Sequence, residues 1–256
     1  MTAPRTRVVR RPVHGVLLLD KPLGLSSNNA LQRCKWLLRA EKAGHTGTLD
    51  PLATGVLPLC FGAATKFSQL QLDADKTYEA TAVLGIKTAT GDAEGEVIEQ
   101  RPVTDITPDR LAAVAKQFTG PIRQVPPMHS ALKRDGKALY EYAREGIELE
   151  RDARDVTIHA LSITAMPDQA GPLSIRITAK VSKGTYIRTL GEDIGEALGC
   201  GAHLSSLRRI ATGQFDELQC ITLQALEAMS EDDRLACLQP VAALLPDHTT
   251  VTLDAD

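Results

Sequence analysis

A chain of 256 residues is long enough for one large domain, or for a large and a small one, around a buried core. Its five cysteines show neither C-x-x-C pairing nor the density of a disulfide scaffold, and no apolar run approaches the roughly 20 residues that span a bilayer. These features exclude secreted disulfide scaffolds and integral membrane proteins built from helices. We therefore expect a reduced, cytoplasmic protein.

The formal net charge of -3 argues against a nucleic-acid partner, because Lys and Arg usually neutralise the phosphates. The charge is unevenly distributed, however. Seven acidic residues and one basic residue follow position 226, which leaves 28 basic and 25 acidic residues before it. Basic side chains also cluster in the N-terminal arm, at 33–42, at 133–137 and at Arg208 and Arg209. Such clusters are more often solvated faces than RNA surfaces, so charge alone does not identify the partner.

Alternation and helical periodicity predict the elements along the chain. In chain order they are a buried strand at 14–20, a helix capped by Ser26 or Ser27, a loop at 44–55 followed by a strand at 56–60, a half-buried strand at 78–86, helices at 107–118 and 137–145, strands at 156–163 and 173–181, and a helix at 185–198. The strands and helices interleave without a regular βαβ repeat. This pattern favours an α+β fold with a mixed, largely antiparallel central sheet flanked by helices.

The common cofactor and metal motifs are absent from the sequence. There is no G-x-x-x-x-G-K-[ST], G-x-G-x-x-G or H-E-x-x-H, and the six histidines are scattered without ligand spacing. The G-x-S-x-G motif of serine hydrolases is also missing. We therefore expect neither a cofactor nor a metal site.

The loop at 44–55, GHTGTLDPLATG, is the most informative segment. Its three glycines relieve steric limits on the backbone, and Pro51 favours an extended conformation at Asp50. Such a loop can present one carboxylate at a fixed angle. Asp-Pro is also a common turn pair in which the aspartate only bonds to nearby backbone, so the loop alone favours a structural role.

Further segments change that assessment. They are LLLDKPLGLSSN, KAGHTGTLDPLATGVLPLCFGAATKFSQ, DKTYEATAVLGIKTATGDAEG, QVPPMHSALK, GKALYEYAREGIE, SKGTYIRTL and GCGAHLSSLRRIATG. With these motifs in this order between residues 15 and 226, the chain resembles the TruB family of tRNA pseudouridine synthases. The resemblance implies a pseudouridine synthase catalytic domain over 1–245. It also implies that the acidic tail at 246–256 could begin the small C-terminal RNA-binding domain common in the family.

The resemblance assigns roles to residues that match the family's motifs. Asp50 in GTLDPLATG is similar to the catalytic aspartate, and Arg188 in GTYIRTL resembles the arginine that pairs with it. Tyr78 in DKTY resembles the tyrosine that stacks on the target base. The other matches are Tyr186 and Leu207 as lining of the uridine pocket, His45 as the loop histidine that occupies the space of the flipped nucleotide, and Lys21 and Pro22 as a structural motif beside the site. One departure is His129, which stands where many members have Tyr.

The chemistry of pseudouridine formation accounts for these residue types independently. The N1–C1′ bond breaks, the uracil turns, C5 joins C1′ and the C5 proton leaves, so no atoms are gained or lost and no cofactor is needed. An ionised carboxylate can act as nucleophile at C1′ or at the pyrimidine ring, or assist base departure by abstraction at the sugar. A guanidinium at Arg188 would favour the ionised form of Asp50.

The resemblance implies that the target is uridine 55 in the T loop of tRNA, which must be extruded at a cost of a few kcal/mol. Stacking on Tyr78 would return about 1–3 kcal/mol, although a simple core role for Tyr78 is the alternative. His45 could fill the gap that the base leaves, or it could be an ordinary loop histidine. Asp92 in TGDAEG is a candidate to organise Arg188 and Tyr78, with a simple acidic turn as the alternative.

Three other functions remain open. An RNA-binding or tRNA-folding module would use Asp50 only structurally. A nucleosidase or glycosidase would need a second carboxylate to protonate the leaving group or activate water, and the sequence shows no such partner. A related synthase could act on another RNA or require a guide RNA. The expected partner is tRNA, bound through its T-stem-loop, and we expect a monomer.

Overall fold

The computed structural model describes residues 9–166 and 173–245. The predicted acidic tail at 246–256, with Arg5 and Arg7 of the N-terminal arm, lies outside the described residues. The strands are β1 (Gly15–Lys21), β2 (Ala43–His45), β3 (Ala53–Phe61), β4 (Lys76–Leu84), β5 (Ile86–Thr88), β6 (Val97–Gln100), β7 (Gly120–Gln124), β8 (Lys133–Arg134), β9 (Lys137–Ala138), β10 (Arg154–Met166), β11 (Ser174–Val181), β12 (Ala202–Thr212), β13 (Phe215–Asp216) and β14 (Ile221–Thr222). The helices are α1 (Ser27–Leu37), α2 (Ser68–Asp73), α3 (Pro108–Phe118), α4 (Leu139–Arg144), α5 (Ile187–Ala197), α6 (Leu223–Ala228) and α7 (Glu231–Ala236), with 3₁₀ segments at Gly62–Lys66, Glu217–Gln219 and Val241–Leu244.

One ten-stranded sheet organises the molecule. Its main path runs β14-β1-β3-β12-β4-β11-β10-β7, with β2 paired to β3 and β13 paired to β12. Among the described strands of this sheet, β1 pairs with β14 and β3 pairs with β12 in parallel, and the other pairs are antiparallel. The predicted α+β fold with a mixed, largely antiparallel sheet and flanking helices is therefore confirmed.

The apolar core lies on both faces of the sheet at β1. Successive side chains of a strand point to opposite faces, and β1 uses both: Leu17 and Leu19 join the larger cluster, whereas Val16 and Leu18 join a smaller one with Phe215. The larger cluster also contains the buried faces of α1, α3 and α5. This arrangement explains why residues 14–20 read as a continuous apolar run rather than an alternating one.

Helix α5 packs unusually close to β12, and two glycines permit it. A Cβ built on Gly191 would come within 2.7 Å of the Leu204 side chain, and one on Gly195 within 2.4 Å of the Ala202 backbone nitrogen. Larger residues at either position would push the helix away from the sheet. The glycines therefore set the distance between the sheet and α5, the helix that carries Arg188.

Most strongly periodic segments form the predicted elements. Ser26 is the cap of α1, since its side chain accepts a hydrogen bond from the Asn29 amide, and Thr107 caps α3. The short helix predicted at 137–145 is partly wrong. Its first two residues form β9, which pairs with β8 across a turn at Asp135 and Gly136, and the helix begins at Leu139.

The sequence did not predict β12, although it is central to the sheet. Its pairing with β4 slips at two places, between Leu204 and Ser206 and again between Arg209 and Ala211. Each irregularity shifts the inward-facing positions by one residue, so the sequence shows no clean alternation. The strand nevertheless lies between β3 and β4 in the sheet and brings Leu207 and Arg209 beside the loop that follows β2.

No helix in the described ranges is long and apolar enough to cross a membrane. Within the same ranges, no three His, Cys, Asp or Glu side chains come together as metal ligands would.

Candidate active site

The loop between β2 and β3 holds Asp50 between anchored neighbours. On one side, the buried Ser27 hydroxyl accepts a hydrogen bond from the Leu49 amide at 2.7 Å and donates to the Leu49 carbonyl at 3.0 Å. On the other side, the Gly24 amide donates to the Pro51 carbonyl at 2.8 Å. Gly24 lies in the segment that links β1 to α1, and Ser27 is the first residue of α1. The Asp50 backbone is therefore fixed while its side chain remains 40% exposed.

Arg188 bridges two carboxylates at the start of α5. Its Nη2 lies 2.8 Å from Asp50 Oδ2 and donates to the His129 carbonyl at 2.6 Å. Its Nη1 donates to the Thr90 carbonyl at 3.0 Å and lies 3.5 Å from Asp92 Oδ2. The Arg188 side chain is only 6% exposed, so these partners replace its water shell. The guanidinium is thus held in one orientation, with one side towards Asp50.

Asp92 forms an acidic turn and faces Arg188, one of the two residues that it was considered to organise. Its Oδ1 accepts hydrogen bonds from the Thr90 hydroxyl at 2.6 Å and from the Glu94 amide at 3.1 Å, as in an acidic turn. Its Oδ2 faces Arg188, and its side chain is 5% exposed. The turn therefore fixes a buried carboxylate against the guanidinium.

A cavity of about 410 Å³ opens beside this pair. Asp50, Tyr78, Tyr186, Arg188 and Leu207 all line it, so five of the residues singled out in the sequence meet at one place. They come from the β2–β3 loop, β4, α5 with its preceding residue, and β12. The cavity lies within the range of about 300–1,000 Å³ found for small-ligand sites.

Tyr186 is held at the cavity by Gln124, a residue that the sequence did not single out. The buried Gln124 side chain accepts from the Tyr186 amide at 3.1 Å and donates to the Tyr186 carbonyl at 3.3 Å. Burial raises the pKa of Tyr186, so its phenol stays protonated at neutral pH. The QVPPMHSALK motif contained this glutamine, but its spacing gave no sign of the contact.

Lys21 and Pro22 lie behind the loop rather than in the cavity lining. Lys21 is fully buried, and its ammonium donates to the carbonyls of Pro22 and Leu25 at 2.9 and 2.5 Å. Burial lowers the pKa of Lys21 to about 8, and the negative charge of Asp50 opposes this shift. The lysine therefore fixes the turn from which Gly24 reaches Pro51.

His45 ends β2 and lies outside the cavity lining. Its Nδ1 is buried and has no hydrogen-bond partner in the described part of the chain. Burial, and then the positive charge of Arg209, lowers the pKa of His45 and favours the neutral ring.

Arg208 and Arg209 do not form the surface cluster that the sequence indicated. Arg208 is paired with Asp20 by two hydrogen bonds of 3.0 Å and with Glu217 at 2.8 Å. Arg209 is 1% exposed and lines the cavity together with Lys76. Successive side chains of β12, a strand that the sequence did not predict, point to opposite faces of the sheet. The two adjacent arginines therefore lie in different environments.

Lys76 should make stability depend on pH. It is 7% exposed, and burial, followed by the charge of Arg209, lowers its pKa from 10.5 to about 8. Between these two values the unfolded state binds more protons, so this lysine's contribution to the free energy of unfolding increases as pH rises through that window. Replacing Lys76 by Met should remove the effect. We expect the free energy of unfolding of the wild type, relative to this variant, to rise by about 1–3 kcal/mol between pH 7 and pH 10.

Urea unfolding at the two pH values measures this difference. The exposed Lys66, replaced by Met, is the matched control and should show no such change. An equal response of both variants would contradict a penalty for burying the Lys76 charge.

Two family models together match most of the chain. Residues 35–187 match the TruB family pseudouridylate synthase N-terminal domain, and residues 188–246 match the tRNA pseudouridylate synthase B C-terminal domain. The division falls inside α5, and both parts contribute strands to the same sheet.

Curated relatives extend over nearly the whole chain. The tRNA pseudouridine synthase B of Verminephrobacter eiseniae is 66% identical over 256 residues, which are 99% of this chain and 77% of the relative. That of Ralstonia pickettii is 62% identical over 246 residues, 96% of this chain and 77% of the relative.

Solved structures show the same fold. The crystal structure of a Cbf5-Nop10-Gar1 complex contains a chain with a TM-score of 0.67 and 32% identity, covering 90% of this chain and 61% of that one. A structure of an H/ACA RNP bound to a substrate RNA containing 2'-deoxyuridine gives a TM-score of 0.63 and 29% identity, covering 90% and 60%. This chain thus spans about three-fifths of those two. From the matched models and the curated relatives together, the chain belongs to the TruB family of pseudouridylate synthases.

Proposed function

We propose that this chain isomerises uridine 55 in the T loop of tRNA to pseudouridine, with Asp50 as the catalytic carboxylate. The observation that carries the proposal is the 2.8 Å pair between Asp50 and a buried Arg188 at the wall of the cavity. The tRNA substrate is supported by the relatives, which are named tRNA pseudouridine synthase B.

In the proposed reaction Asp50 supplies negative charge where the glycosidic bond breaks. The carboxylate attacks C1′ or the pyrimidine ring, or it removes a proton from the sugar, and each route ends with C5 joined to C1′ and the C5 proton released. Arg188 holds the Asp50 carboxylate aimed at the cavity through a charge-assisted hydrogen bond. Asp92 holds Arg188 from the opposite side. The isomerisation balances without a cofactor.

The cavity receives the extruded uridine in this proposal. Unstacking the base costs a few kcal/mol, and stacking on Tyr78 returns about 1–3 kcal/mol. Tyr186 and Leu207 also contact the base in this proposal, since both line the same cavity. His45, at the edge of β2, fills the gap left in the T loop. Lys21 and Pro22 support the Asp50 loop from behind.

We also propose that residues 1–245 act as one catalytic domain, as a monomer in the cytoplasm. One support is that the strands of both family-model regions share a single sheet. The other is that all five cysteines are unpaired, as expected in a reducing compartment.

The experiment is incubation with T-arm RNA that carries tritium at uridine C5. We expect one tritium released to water per RNA, with no free uracil. A T arm with cytidine at position 55 is the control and should release none. Binding with full retention of the label would favour an RNA-folding module, and free uracil would favour a glycosidase. Release only from an unrelated RNA would favour a synthase with another substrate.

Ser27 offers a test of how the Asp50 loop is held. Replacing Ser27 by Ala leaves the buried Leu49 amide and carbonyl without their partner, which should lower the free energy of unfolding by about 1–3 kcal/mol. We expect kcat to fall by roughly 10-fold because Asp50 loses its fixed neighbour. Urea unfolding and tritium release measure the two effects.

Ser26→Ala is the matched control for Ser27→Ala. It removes only the helix cap on the Asn29 amide, so it should cost about 1 kcal/mol of stability while kcat stays within twofold. Equal kcat values for the two variants would show that Ser27 does not position the loop.

A further inference from the structure

Arg209 is a buried cation without an acidic partner in the described structure. Its side chain is among the largest that are fully buried, at 1% exposure, and no ion pair to it occurs in the described ranges. The positive charge of Arg209 contributes to lowering the pKa of Lys21, Lys76 and His45, so two further cations and an imidazole lie near it. Burying a guanidinium among like charges is unfavourable unless specific hydrogen bonds compensate for the lost water.

Two backbone carbonyls provide that compensation. Arg209 Nε donates to the Val56 carbonyl at 2.7 Å, and Nη2 donates to the Gly47 carbonyl at 3.3 Å. Gly47 lies three residues before Asp50, and Val56 lies six residues after it. One side chain therefore binds both ends of the segment that carries the carboxylate.

Two glycines allow the segment to close around Arg209. Gly47 has φ +90°, and a Cβ built there would lie 3.3 Å from Arg209 Nη1. Gly55 has φ +98°, and its Cβ would come within 2.2 Å of the Arg209 carbonyl oxygen. Side chains at these positions would be strained and would separate the loop from β12. Two of the three glycines of GHTGTLDPLATG, Gly47 and Gly55, thus approach Arg209 closely.

We propose that Arg209 is a positioning residue for the proposed reaction, whose guanidinium clamps the Gly47 and Val56 carbonyls and thereby fixes Asp50 beside the cavity. The kinetic part of this proposal rests on the proposed function, whereas the structural part does not. A guanidinium suits the task because its planar fork directs several N–H groups at separate acceptors, and a lysine ammonium on a flexible stem cannot reproduce this geometry.

The test compares Arg209→Lys with Arg208→Lys, its neighbour on the same strand, whose partners are Asp20 and Glu217. For Arg209→Lys we expect kcat for tritium release to fall roughly 10- to 100-fold, because a displacement of about 1 Å can cost 100-fold. KM and the Kd for T-arm RNA should stay within about threefold, since Arg209 is buried. Arg208→Lys should keep kcat within about threefold.

Hydrogen exchange provides a readout that does not need activity. In Arg209→Lys, the amides of residues 44–55 should exchange at least about fivefold faster than in the wild type, while the Arg208→Lys variant matches the wild type. Unchanged kcat and unchanged exchange in a folded Arg209→Lys protein would overturn the proposal. A rise in KM alone would also overturn it. If the wild type releases no tritium but the Arg209→Lys variant still shows faster exchange, the proposed function is rejected. The structural role of Arg209 is supported in that case.

If the Arg209→Lys variant shows no cooperative unfolding transition, the Gly47→Ala variant is used to test the proposal instead. It keeps the arginine and introduces a methyl group at the clamp. A lower kcat with faster exchange at 44–55 supports the proposal, and wild-type values of both overturn it.

Discussion

Replacing Arg188 by Met should lower kcat for pseudouridine formation by at least about 100-fold and the free energy of unfolding by about 3–5 kcal/mol. The variant removes the cation between Asp50 and Asp92 and leaves the 5%-exposed Asp92 carboxylate without its counter-charge. Removing one partner of a buried pair is costly because the remaining charge stays buried. Activity and urea unfolding measure the two losses.

An unchanged rate in the Arg188→Met variant would show that the 2.8 Å pair between Arg188 and Asp50 is not used in catalysis.

Two further variants separate stability from chemistry at this position. Adding Asp92→Asn to Arg188→Met removes the buried negative charge and should recover part of the stability while kcat remains low. Arg123→Met is the control for a surface pair, since Arg123 and Asp155 are 72% and 93% exposed, and it should have little effect on either quantity. Recovery of kcat in the double variant would mean that Arg188 acts through folding alone.

Replacing Asp50 by Asn should abolish tritium release, with kcat falling by at least about 1,000-fold. The amide has nearly the same shape, but it can neither carry the negative charge nor act as nucleophile or base. Because the Asp50 side chain is 40% exposed and keeps its backbone anchors, the fold and the Kd for T-arm RNA should change little. Single-turnover tritium release and an RNA-binding titration measure the two properties.

Asp20→Asn is the matched control for Asp50→Asn. It weakens a carboxylate–arginine pair outside the cavity lining, with Arg208, and should leave single-turnover kcat within about threefold. If the Asp50→Asn variant retained kcat within tenfold of the wild type, Asp50 would not be the catalytic carboxylate.

The sequence predicted those elements whose periodicity was regular. The caps of α1 and α3 could be predicted because Ser26 and Thr107 precede clear helical patterns. Strand β12 could not, because its two pairing irregularities break the alternation. The candidate site residues came from motifs that match the TruB family, but motifs do not specify hydrogen bonds. The contacts of Ser27 and Arg209 with the Asp50 loop depend on residues that tertiary packing brings together across 22 and 162 positions of sequence.

The proposed activity converts one uridine of tRNA to pseudouridine. The most direct measurement is nucleoside analysis, with position mapping, of full-length tRNA after incubation with the wild-type chain. We expect one pseudouridine per tRNA, at position 55, at unchanged RNA mass, and none after incubation with the Asp50→Asn variant. Unmodified uridine at position 55, or an abasic site with free uracil, would contradict it.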